Sequence, residues 1–334
     1  MLACSVAIAG AGCNRSPKQD QPTGAERKGQ ATQPTKPLVW GGPKNIAMLP
    51  IVAEQQGFFR ELGLQTAPKY LQTGKIAMDA VVSGDLDVGV IVDTNIAFVG
   101  FQKGADIQVI ASTMEKYDDA IIARKDQGVT KPKDLEGKQL AILTGTTSHR
   151  FADLFIEFYN LDKSKIEFVN LSPPGIQAAV LSGQVTAGSV WQPFRYNIVQ
   201  KLGDQVVQFN DRAIYKAYSL LAVRSPRMET RAADLQAFFK ALVKAERFIA
   251  EHKQEAIKLL SAELDIDESA LGAVWDEYAI ELKLDNSLLE TLQNEGQWIK
   301  REQKGFEAKP IPDYAQMVSS DLLRSVDLKR VQLQ

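Results

Sequence analysis

One short segment of this chain occurs twice, and this repeat constrains the fold more than any other feature of the sequence. Residues 80–90 read AVVSGDLDVGV and residues 179–189 read AVLSGQVTAGS, with Ala, Val, Ser and two Gly identical within the first ten positions. Each copy predicts a helix that ends at Ser-Gly and turns into an apolar strand. Since Ser-Gly after a helix is common, coincidence is the alternative. A true repeat predicts two similar α/β lobes.

The repeat extends backward along the chain. A strand, a helix and a second strand are predicted before each copy, with similar spacing and with the same punctuation by Gly, Asn and Pro. The predicted elements are 38–41, 46–62 and 69–71 before the first copy, and 139–143, 148–159 and 165–171 before the second. In the helix over 148–159, one apolar stripe at helical spacing is expected to join the core: Phe151, Leu154, Phe155 and Phe158.

The strand of each copy runs into a polar or aromatic tip. Asp93-Thr94-Asn95 follows the first strand, and Trp191-Gln192-Pro193 follows the second. In open α/β sheets, ligands bind beyond the carboxyl ends of the strands. Two such tips that face each other predict a binding cleft between the lobes.

Length, charge and cysteine content exclude several classes of function. The chain has 334 residues, enough for two domains, and its 39 basic and 41 acidic residues give a net charge of −2. No overall basic field recruits nucleic acid, so no nucleic-acid partner is expected. Because residues 14–334 contain no cysteine, disulfides, thiol catalysis and cysteine metal sites are excluded from the fold. We expect no metal and no cofactor.

The N-terminal segment has the pattern of an export signal. Residues 2–12 are small and apolar, and Gly10-Ala11-Gly12-Cys13 resembles a bacterial lipobox, in which the cysteine carries the lipid. The match departs from that pattern at Gly10, where a large aliphatic residue is usual. Residues 14–37 are rich in Gln, Pro, Thr, Lys and Gly and predict a flexible tether. An exported, lipid-anchored protein is expected, and a soluble protein with a ragged start is the alternative.

Catalytic motifs are missing from the sequence. The two histidines, His149 and His252, fall on different predicted elements, and His252 is expected to be solvated on a charged helix over 234–260. Ser148 and His149 are adjacent and diverge on a helix, so they do not form a nucleophile–base pair by themselves. No metalloprotease, nucleophile-elbow, P-loop or dinucleotide-binding motif occurs. A hydrolase based on two carboxylates stays open, but the sequence favours binding over catalysis.

A loop with the chemistry of an anion site does occur. Thr144-Gly145-Thr146-Thr147-Ser148 follows a predicted strand and opens a helix, whose first N–H groups lack intrahelical partners. Simple N-capping by one hydroxyl is the alternative. An indole at the strand exit, Trp191, suits a cleft wall. Positive charge is available from four residues that we expect at the surface: Lys44, Lys75, Arg150 and Arg195.

With these residues in view, the chain resembles the substrate-binding proteins of ABC importers in the nitrate/sulfonate/taurine group, whose relatives include the thiamine-precursor binders. The matching segments cover roughly residues 38–225, and their order and spacing carry the resemblance: 49–64, 80–89, 134–138, 145–149 and 179–193. Thr186 departs from the family pattern, which usually has Asp after the Ser-Gly turn, as Asp87 is in the first copy.

The resemblance implies a two-lobed periplasmic-binding-protein fold of type II, an α/β fold with two crossover strands as the hinge. Lobe one would comprise 38–121 and 220–334, lobe two 122–219, with crossovers over 120–123 and 219–223. A small-molecule ligand would lie in the cleft, and the protein, expected as a monomer, would present it to a membrane permease. The residues expected at the ligand are Trp40, Gly41, Asn45, Gly74, Lys75, Asp93, Thr94, Asn95, Gly145, Thr146, Thr147, Ser148, His149, Trp191 and Gln192.

The sequence therefore predicts a lipid-anchored solute receptor for a small anionic organic solute. Three alternatives stay open at this point. The first is a receptor for a neutral or cationic heteroaromatic, such as a pyrimidine precursor stacked on Trp191, and the second is a pyrimidine-forming enzyme on the same fold. The third is a ligand-sensing partner of a membrane kinase.

Overall fold

The computed structural model describes residues 36–333 with the exception of 103 and 105. The predicted export signal, Cys13 and nearly all of the predicted tether lie outside the described residues. Among the helices of the described part, none combines the length and the apolar character that crossing a bilayer requires.

The strands form two separate sheets. Within the described residues they are β1 (Leu38–Gly42), β2 (Thr66–Tyr70), β3 (Val88–Val92), β4 (Ile107–Lys116), β5 (Ala120–Arg124), β6 (Gln139–Ile142), β7 (Glu167–Asn170), β8 (Ala187–Val190), β9 (Val206–Phe209), β10 (Ala217–Arg224), β11 (Tyr278–Asp285) and β12 (Val331–Gln332). The larger sheet has the order β12-β11-β4-β10-β3-β1-β2, and the smaller has the order β7-β6-β8-β5-β9.

Helices pack on the sheets and connect their strands. The α-helices of the described residues are α1 (Met48–Gln55), α2 (Phe58–Glu61), α3 (Gly74–Ser83), α4 (Asp93–Gly100), α5 (Thr147–Phe158), α6 (Pro173–Ser182), α7 (Phe194–Leu202), α8 (Ser225–Thr230), α9 (Ala232–Glu251), α10 (Lys253–Leu264), α11 (Glu268–Val274), α12 (Asn286–Glu302) and α13 (Asp321–Val326).

The two sheets share one local topology. In the larger sheet β1 pairs in parallel with both β2 and β3, and β10 runs antiparallel beside β3. In the smaller sheet β6 pairs in parallel with β7 and β8, and β5 runs antiparallel beside β8. The chain passes from the larger sheet to the smaller through 117–119 and returns through 210–216. The mixed α/β architecture with two related halves confirms the fold class that the repeat predicts.

The sequence repeat corresponds to two equivalent helix–turn–strand units, α3-β3 and α6-β8. Each helix ends at a glycine with positive φ, 87° at Gly84 and 75° at Gly183, a conformation that costs glycine nothing. Each strand then carries a glycine under the helix. A Cβ on Gly89 would lie 2.4 Å from Val81 Cγ2, and one on Gly188 would lie 2.5 Å from Ile176 Cγ2. Gly89 and Gly188, which occupy the same position of the repeat, therefore permit the same close contact between helix and strand.

Two predicted helices are each interrupted. The helix expected over 46–62 is divided at Gly57, which has a φ of 73°, into α1 and α2. The helix expected over 234–260 is divided at His252, where φ is −129° and ψ is 50°, into α9 and α10. The expectation that His252 is solvated holds, since 48% of its side chain is exposed beside Glu255.

Most of the predicted aromatic stripe joins the core of the smaller sheet. Phe151 and Phe155 are buried there, and Leu154 packs partly buried against them. The prediction for Phe158 is wrong, because 51% of this residue is exposed. Phe158 lies at the last turn of α5 and contacts Tyr159 edge-on rather than the core.

Candidate functional site

A small cavity of about 40 Å³ lies between the two sheets, at the carboxyl ends of strands from both. The segments after β1, β2 and β3 line one side, and those after β6 and β8 line the other. The lining residues are Pro43, Asn45, Ile46, Gln72, Thr73, Gly74, Lys75, Val92, Asn95, Lys116, Thr146, Thr147 and Trp191. Seven of them belong to the predicted set: Asn45, Gly74, Lys75, Asn95, Thr146, Thr147 and Trp191.

The amino terminus of α5 enters the cavity from the side of the smaller sheet. Thr146 occupies the N-cap position, but its hydroxyl donates to the Leu143 carbonyl at 2.7 Å and makes no capping hydrogen bond. The Ser148 hydroxyl donates to the Ser189 carbonyl at 2.6 Å. Both hydroxyls are thus used for other contacts, and the first N–H groups of α5 remain available to a ligand. This arrangement disfavours the simple N-capping interpretation of the loop.

The amino terminus of α3 enters from the side of the larger sheet. Thr73 caps this helix, accepting from the Ile76 N–H at 3.3 Å, and Gly74 and Lys75 form its first turn. A side chain at position 74 is excluded, because a Cβ there would lie 2.3 Å from the Asn95 amide oxygen. Gly74 therefore lets Asn95 approach the helix backbone. Two helix amino termini, each with partial positive charge, face one small space.

Asn95 is buried in the first turn of α4 and lies beside Gly74. Its amide oxygen accepts from the Val92 N–H at 3.3 Å. Because the oxygen is engaged, the amide nitrogen is the part of this side chain that remains to donate to a ligand.

Lys116, at the end of β4, is a lining residue that sequence reasoning missed. Only 2% of its side chain is exposed, and its ammonium group lies 2.5 Å from Asp118 and 2.8 Å from Asp119. Burial acts to lower the pKa of Lys116, but the two carboxylates outweigh it and raise that pKa above its usual value. Lys116 is therefore a buried, charged ammonium at the cavity wall.

Asp119 connects this charge cluster to α5. Burial raises the pKa of its carboxyl group, and Lys116 and the nearby Thr147 hydroxyl of α5 oppose that rise. The sequence signal for Lys116 was a lysine that ends an apolar strand and is followed by two aspartates. Lys116 lies outside the repeat, so the comparison of the two copies does not point to it.

Trp191 and one hydrogen bond between the two sheets complete the cavity wall. Trp191, at the end of β8, is partly buried and lines the cavity. The Asn45 amide nitrogen donates to the Gln192 carbonyl at 3.4 Å, which joins the loop after β1 to the loop after β8. The predicted residue Gln192 does not line this cavity; its amide oxygen accepts from the Tyr196 N–H at 3.0 Å, and both residues line a separate cavity.

Several predicted residues lie in the protein interior instead of the cavity wall. Trp40 is fully buried within β1, where its indole N–H donates to Glu54 at 3.4 Å. Gly41 is also part of β1 and faces the Lys69 carbonyl on β2. Both residues fall inside the strand, which continues through Gly42, so the segment that reaches the cavity begins at Pro43.

Asp93 and Thr94 are fully buried at the start of α4. The Asp93 carboxylate accepts hydrogen bonds from the N–H groups of Thr94 and Tyr218, at 2.8 and 3.1 Å, and from the Tyr215 hydroxyl at 3.2 Å. Burial raises the pKa of Asp93 to about 6, although these hydrogen bonds and Lys116 act to lower it. Asp93 therefore ties α4 to β10 and is not presented to a cleft ligand.

His149 and Ser148 also lie behind the cavity wall. The His149 ring packs edge-on against Trp298 at 5.3 Å, and its Nδ1 lies 3.2 Å from the Gln303 amide nitrogen. Burial lowers the pKa of His149, with Asp153 acting in the opposite direction. Gly145 lines a neighbouring cavity rather than this one.

The expectation of four surface cations is wrong for two of them. Arg150 is buried and donates to Glu295 on α12 at 2.8 Å, and Arg195 is buried and pairs with Glu277. Both arginines reach from helices of the smaller sheet to glutamates that flank β11 of the larger sheet. Lys75 is exposed over 70% of its side chain, as expected, and Lys44 over 39%.

Comparison with known proteins identifies the family of this chain. A family model described as NMT1/THI5 like matches residues 45–256. The taurine-binding periplasmic protein of Escherichia coli (strain K12) is 25% identical over 193 residues, 57% of this chain and 59% of that protein. A putative aliphatic sulfonates-binding protein of Bacillus subtilis (strain 168) is 21% identical over 229 residues, 67% of this chain and 69% of that protein. The chain thus aligns with about three-fifths of the first relative and two-thirds of the second.

A solved structure shows the same fold. The periplasmic aliphatic sulphonate binding protein SsuA from Escherichia coli superimposes with a TM-score of 0.72 at 18% identity, over 85% of this chain and 97% of that one. This similarity confirms the two-lobed, type II periplasmic-binding-protein fold that the sequence predicts.

Proposed function

The chain belongs to the NMT1/THI5-like family, and on that premise we propose that it is the solute-binding receptor of an ABC importer. It captures a small anionic organic solute outside the cytoplasm and delivers it to a membrane permease. The relatives named as taurine-binding and aliphatic-sulfonate-binding proteins support this class of solute.

One observation carries the proposal: two helix amino termini and a buried ammonium group meet in one cavity between the sheets. The amino termini of α3 and α5 offer N–H donors at Gly74–Lys75 and at Thr147, and Lys116 lies in the same wall. Helix amino termini bind anions through these donors and through the helix dipole. An anionic head group such as a sulfonate or carboxylate fits this set of donors.

The contribution of Lys116 is local rather than global. Its charge is already opposed by Asp118 and Asp119, so the three groups together do not form a positive site. The helix N–H groups therefore supply most of the selectivity for an anion, and Lys116 supplies a directed donor. This division predicts that charge changes at the helix termini have the larger effect on affinity.

The lobe boundaries expected from the resemblance, 121/122 and 219/220, fall inside β5 and β10. In this proposal the lobes therefore meet at 117–119 and 210–216, where the chain passes between the sheets, and they close on the solute by bending there. Closure by hinge motion around a ligand is a common mode in two-lobed binding proteins. The contacts of Arg150 with Glu295 and of Arg195 with Glu277 join the two halves on either side of the cavity. They stabilise the closed arrangement.

We include a lipid anchor in the proposal, on the evidence of the lipobox-like segment that ends at Cys13. When the protein is expressed with a complete export signal in a bacterial host, it should fractionate with membranes, and Cys13→Ser should release or mislocalise it. Equal recovery of both forms as soluble cytoplasmic protein would contradict the anchor without bearing on the cleft.

The second candidate is a receptor for a heteroaromatic solute, and Trp191 at the cavity wall is the observation that favours it. A pyrimidine-forming enzyme on this fold is a weaker alternative. Its candidate histidine, His149, is held by Gln303 and Trp298 and does not line the cavity.

A screen of the purified protein tests the proposed function. Sulfonates, nitrate, aromatic acids and pyrimidines are compared by thermal shift, because a ligand of the native state raises the melting temperature by mass action. We expect sulfonates or related anions to stabilise the protein and to be recovered chemically unchanged after long incubation. Stabilisation by pyrimidines alone would favour the second candidate, and conversion of a bound compound would favour an enzyme.

A further inference from the structure

A second and larger cavity opens beside the first. Its volume is about 200 Å³, against about 40 Å³ for the cavity at the helix termini. Lys75 and Asn95 line both, and Gly145 of the second cavity directly precedes Thr146 of the first. We call this larger space the side cavity. It is lined by Lys75, Met78, Asp79, Asn95, Phe98, Val99, Gln102, Thr144, Gly145, Phe306 and Lys309.

The inner wall of the side cavity is apolar and aromatic. Phe98 and Phe306 meet edge-on with ring centroids 5.7 Å apart, and Phe98 also meets Trp298 at 6.1 Å. Met78 and Val99 are buried beside them. An apolar group that entered this space would leave water and contact aromatic and aliphatic side chains.

The charges of the side cavity lie on its exposed lysine and aspartate side chains. Lys75 pairs with Asp79 at 3.2 Å, and the two side chains are exposed over 70% and 64%. The Lys309 ammonium lies 4.4 Å from the Phe306 ring centroid, and Lys309 is exposed. The deep wall is therefore suited to an apolar group, and the charged rim is suited to solvent.

Volume separates the roles of the two cavities. A space of about 40 Å³ holds a few waters or one compact head group, since a single water needs roughly 10–15 Å³ on the same measure. A solute with an organic part larger than one or two carbons extends beyond it. The adjoining space that can receive the rest of such a solute is the side cavity, reached past Asn95.

We propose that the side cavity binds the apolar tail, alkyl or aryl, of the solute whose anionic head lies at the amino termini of α3 and α5. The inference rests on the proposed function and deepens it, because it assigns the substrate class: organic anions with a sizeable apolar tail. Asn95 lies at the junction, where its amide nitrogen is placed to donate to the head group while the tail passes toward Phe98 and Phe306.

Titration calorimetry with a homologous series of sulfonates tests this assignment. Methanesulfonate measures the head site alone, and pentanesulfonate and naphthalene-2-sulfonate add an alkyl and an aryl tail. Full burial of one methylene group tightens binding roughly fourfold, so even partial burial of the tail is expected to tighten binding of pentanesulfonate at least tenfold over methanesulfonate.

Two variants locate the gain in the side cavity. Phe306→Ala removes an aromatic wall, and Gln102→Trp adds bulk at an exposed lining position. Each should weaken binding of the tailed sulfonates about fivefold to tenfold and leave methanesulfonate within twofold. Phe158→Ala, an exposed phenylalanine on the far end of α5, is the matched control and should change neither.

The possible outcomes distinguish failure of the tail site from failure of the proposed receptor function. If methanesulfonate binds but the tail adds no affinity, or if the gain survives both cavity variants, the tail site is refuted and the receptor function stands. If no sulfonate of the series binds to the folded protein, the proposed anion receptor fails, and the tail site fails with it.

Discussion

The two copies of the repeat form the same helix–turn–strand unit, yet they begin in different ways. Helix α3 starts at Gly74 and Lys75, whereas α6 starts at Pro173 and Pro174. Proline has no backbone N–H, so the first turn of α6 lacks the donors that the first turn of α3 offers. The start of α3 lines the cavity and the start of α6 does not. The repeat thus preserves the fold, and the residues at the helix start decide which copy can bind an anion there.

The copies also differ after the Ser-Gly turn. Asp87 of the first copy is buried, accepts from the Val39 N–H at 2.9 Å and pairs with Arg227 and Arg231 at 3.0 and 3.3 Å. Thr186 stands at this position in the second copy, where its carbonyl accepts from the Arg124 N–H at 2.9 Å. The first copy is therefore tied to the C-terminal helices by charge, and the second is not.

The largest effect that we predict from this comparison is on stability at Asp87. Asp87→Ala removes the buried acceptor that the Val39 N–H shares with Arg227 and Arg231, although Arg231 keeps its contact with Asp234, and should lower the free energy of unfolding by about 4 kcal/mol. Thr186→Ala, the matched change in the other copy, should cost less than about 1 kcal/mol. Urea denaturation of both variants measures the difference, and equal losses would contradict the distinct roles.

The second prediction concerns the helix that precedes each copy. Helix α2, before the first copy, packs through a stacked pair, Phe59 and Phe238, with ring centroids 4.9 Å apart. Helix α5, before the second, packs through the buried pair of Arg150 and Glu295. Burial raises the pKa of Glu295 to about 8, although Arg150 acts to lower it. The stability that the Phe59–Phe238 contact contributes should be independent of pH, whereas the stability that Glu295 contributes should depend on it.

The direction of this pH dependence follows from the state in which the Glu295 carboxyl group holds its proton. Between about pH 4.5 and about pH 8 the folded protein keeps the proton on Glu295 while the unfolded chain releases it, so this group makes the fold less stable as pH rises. Relative to wild type, Glu295→Gln should gain about 3 kcal/mol of unfolding free energy on going from pH 5 to pH 8. The difference between Phe59→Leu and wild type should stay constant over the same range. A flat difference for Glu295→Gln would show that the folded pKa is not raised.

The third prediction tests the two helix starts directly. Lys75→Glu reverses a charge at the α3 terminus and should weaken binding of a short sulfonate about tenfold, about 1.4 kcal/mol. Pro174→Glu places a glutamate at the exposed start of α6, and Lys201→Glu makes the same change of net charge at an exposed lysine of α7; both lie away from the cavity and should leave the affinity within twofold. Calorimetry on the three proteins distinguishes a specific site from a general effect of net charge.

The smallest effect is expected where the copies agree. Gly84 and Gly183 both adopt positive φ, so Gly84→Ala and Gly183→Ala should each cost about 1 kcal/mol through backbone strain. Thermal or urea unfolding checks this, and a loss in one copy only would show that the turns are not equivalent.

Much of the fold was accessible from sequence because local signals and tertiary structure agree. The Ser-Gly turns, the apolar strands and the order of elements around each copy follow from periodicity and glycine placement. The breaks at Gly57 and His252 were missed, since a helical apolar pattern continues through both positions and only the backbone angles reveal the interruption.

The cavity residues could be predicted from the sequence only in part, because some of them are placed by tertiary contacts and not by local signals. Repeat tips and helix starts point to the cavity, so Gly74, Thr147 and Trp191 could be named in advance. Lys116 comes from a strand outside the repeat, and its burial depends on tertiary contacts with Asp118 and Asp119. Trp40 was assigned to the cleft although it lies within the predicted strand over 38–41, and the indole in fact packs in the core beside Glu54.

The central claim, that the α5 amino terminus selects an anion, is tested most directly by charge at Thr147. Thr147→Asp places a carboxylate among the helix N–H donors and beside Asp119. In a partly desolvated cleft this should cost about 2–4 kcal/mol, roughly 30-fold to 1000-fold in the dissociation constant of a short sulfonate. Thr147→Asn is the size-matched neutral control and should lose far less.

Titration calorimetry of Thr147→Asp and Trp191→Ala against the same ligand, with folding checked by circular dichroism, is the deciding measurement. An anion receptor loses most of its affinity in Thr147→Asp and less in Trp191→Ala. The reverse order would show a stacked heteroaromatic ligand, and unchanged affinity in both folded variants would show that the solute binds somewhere other than this cavity.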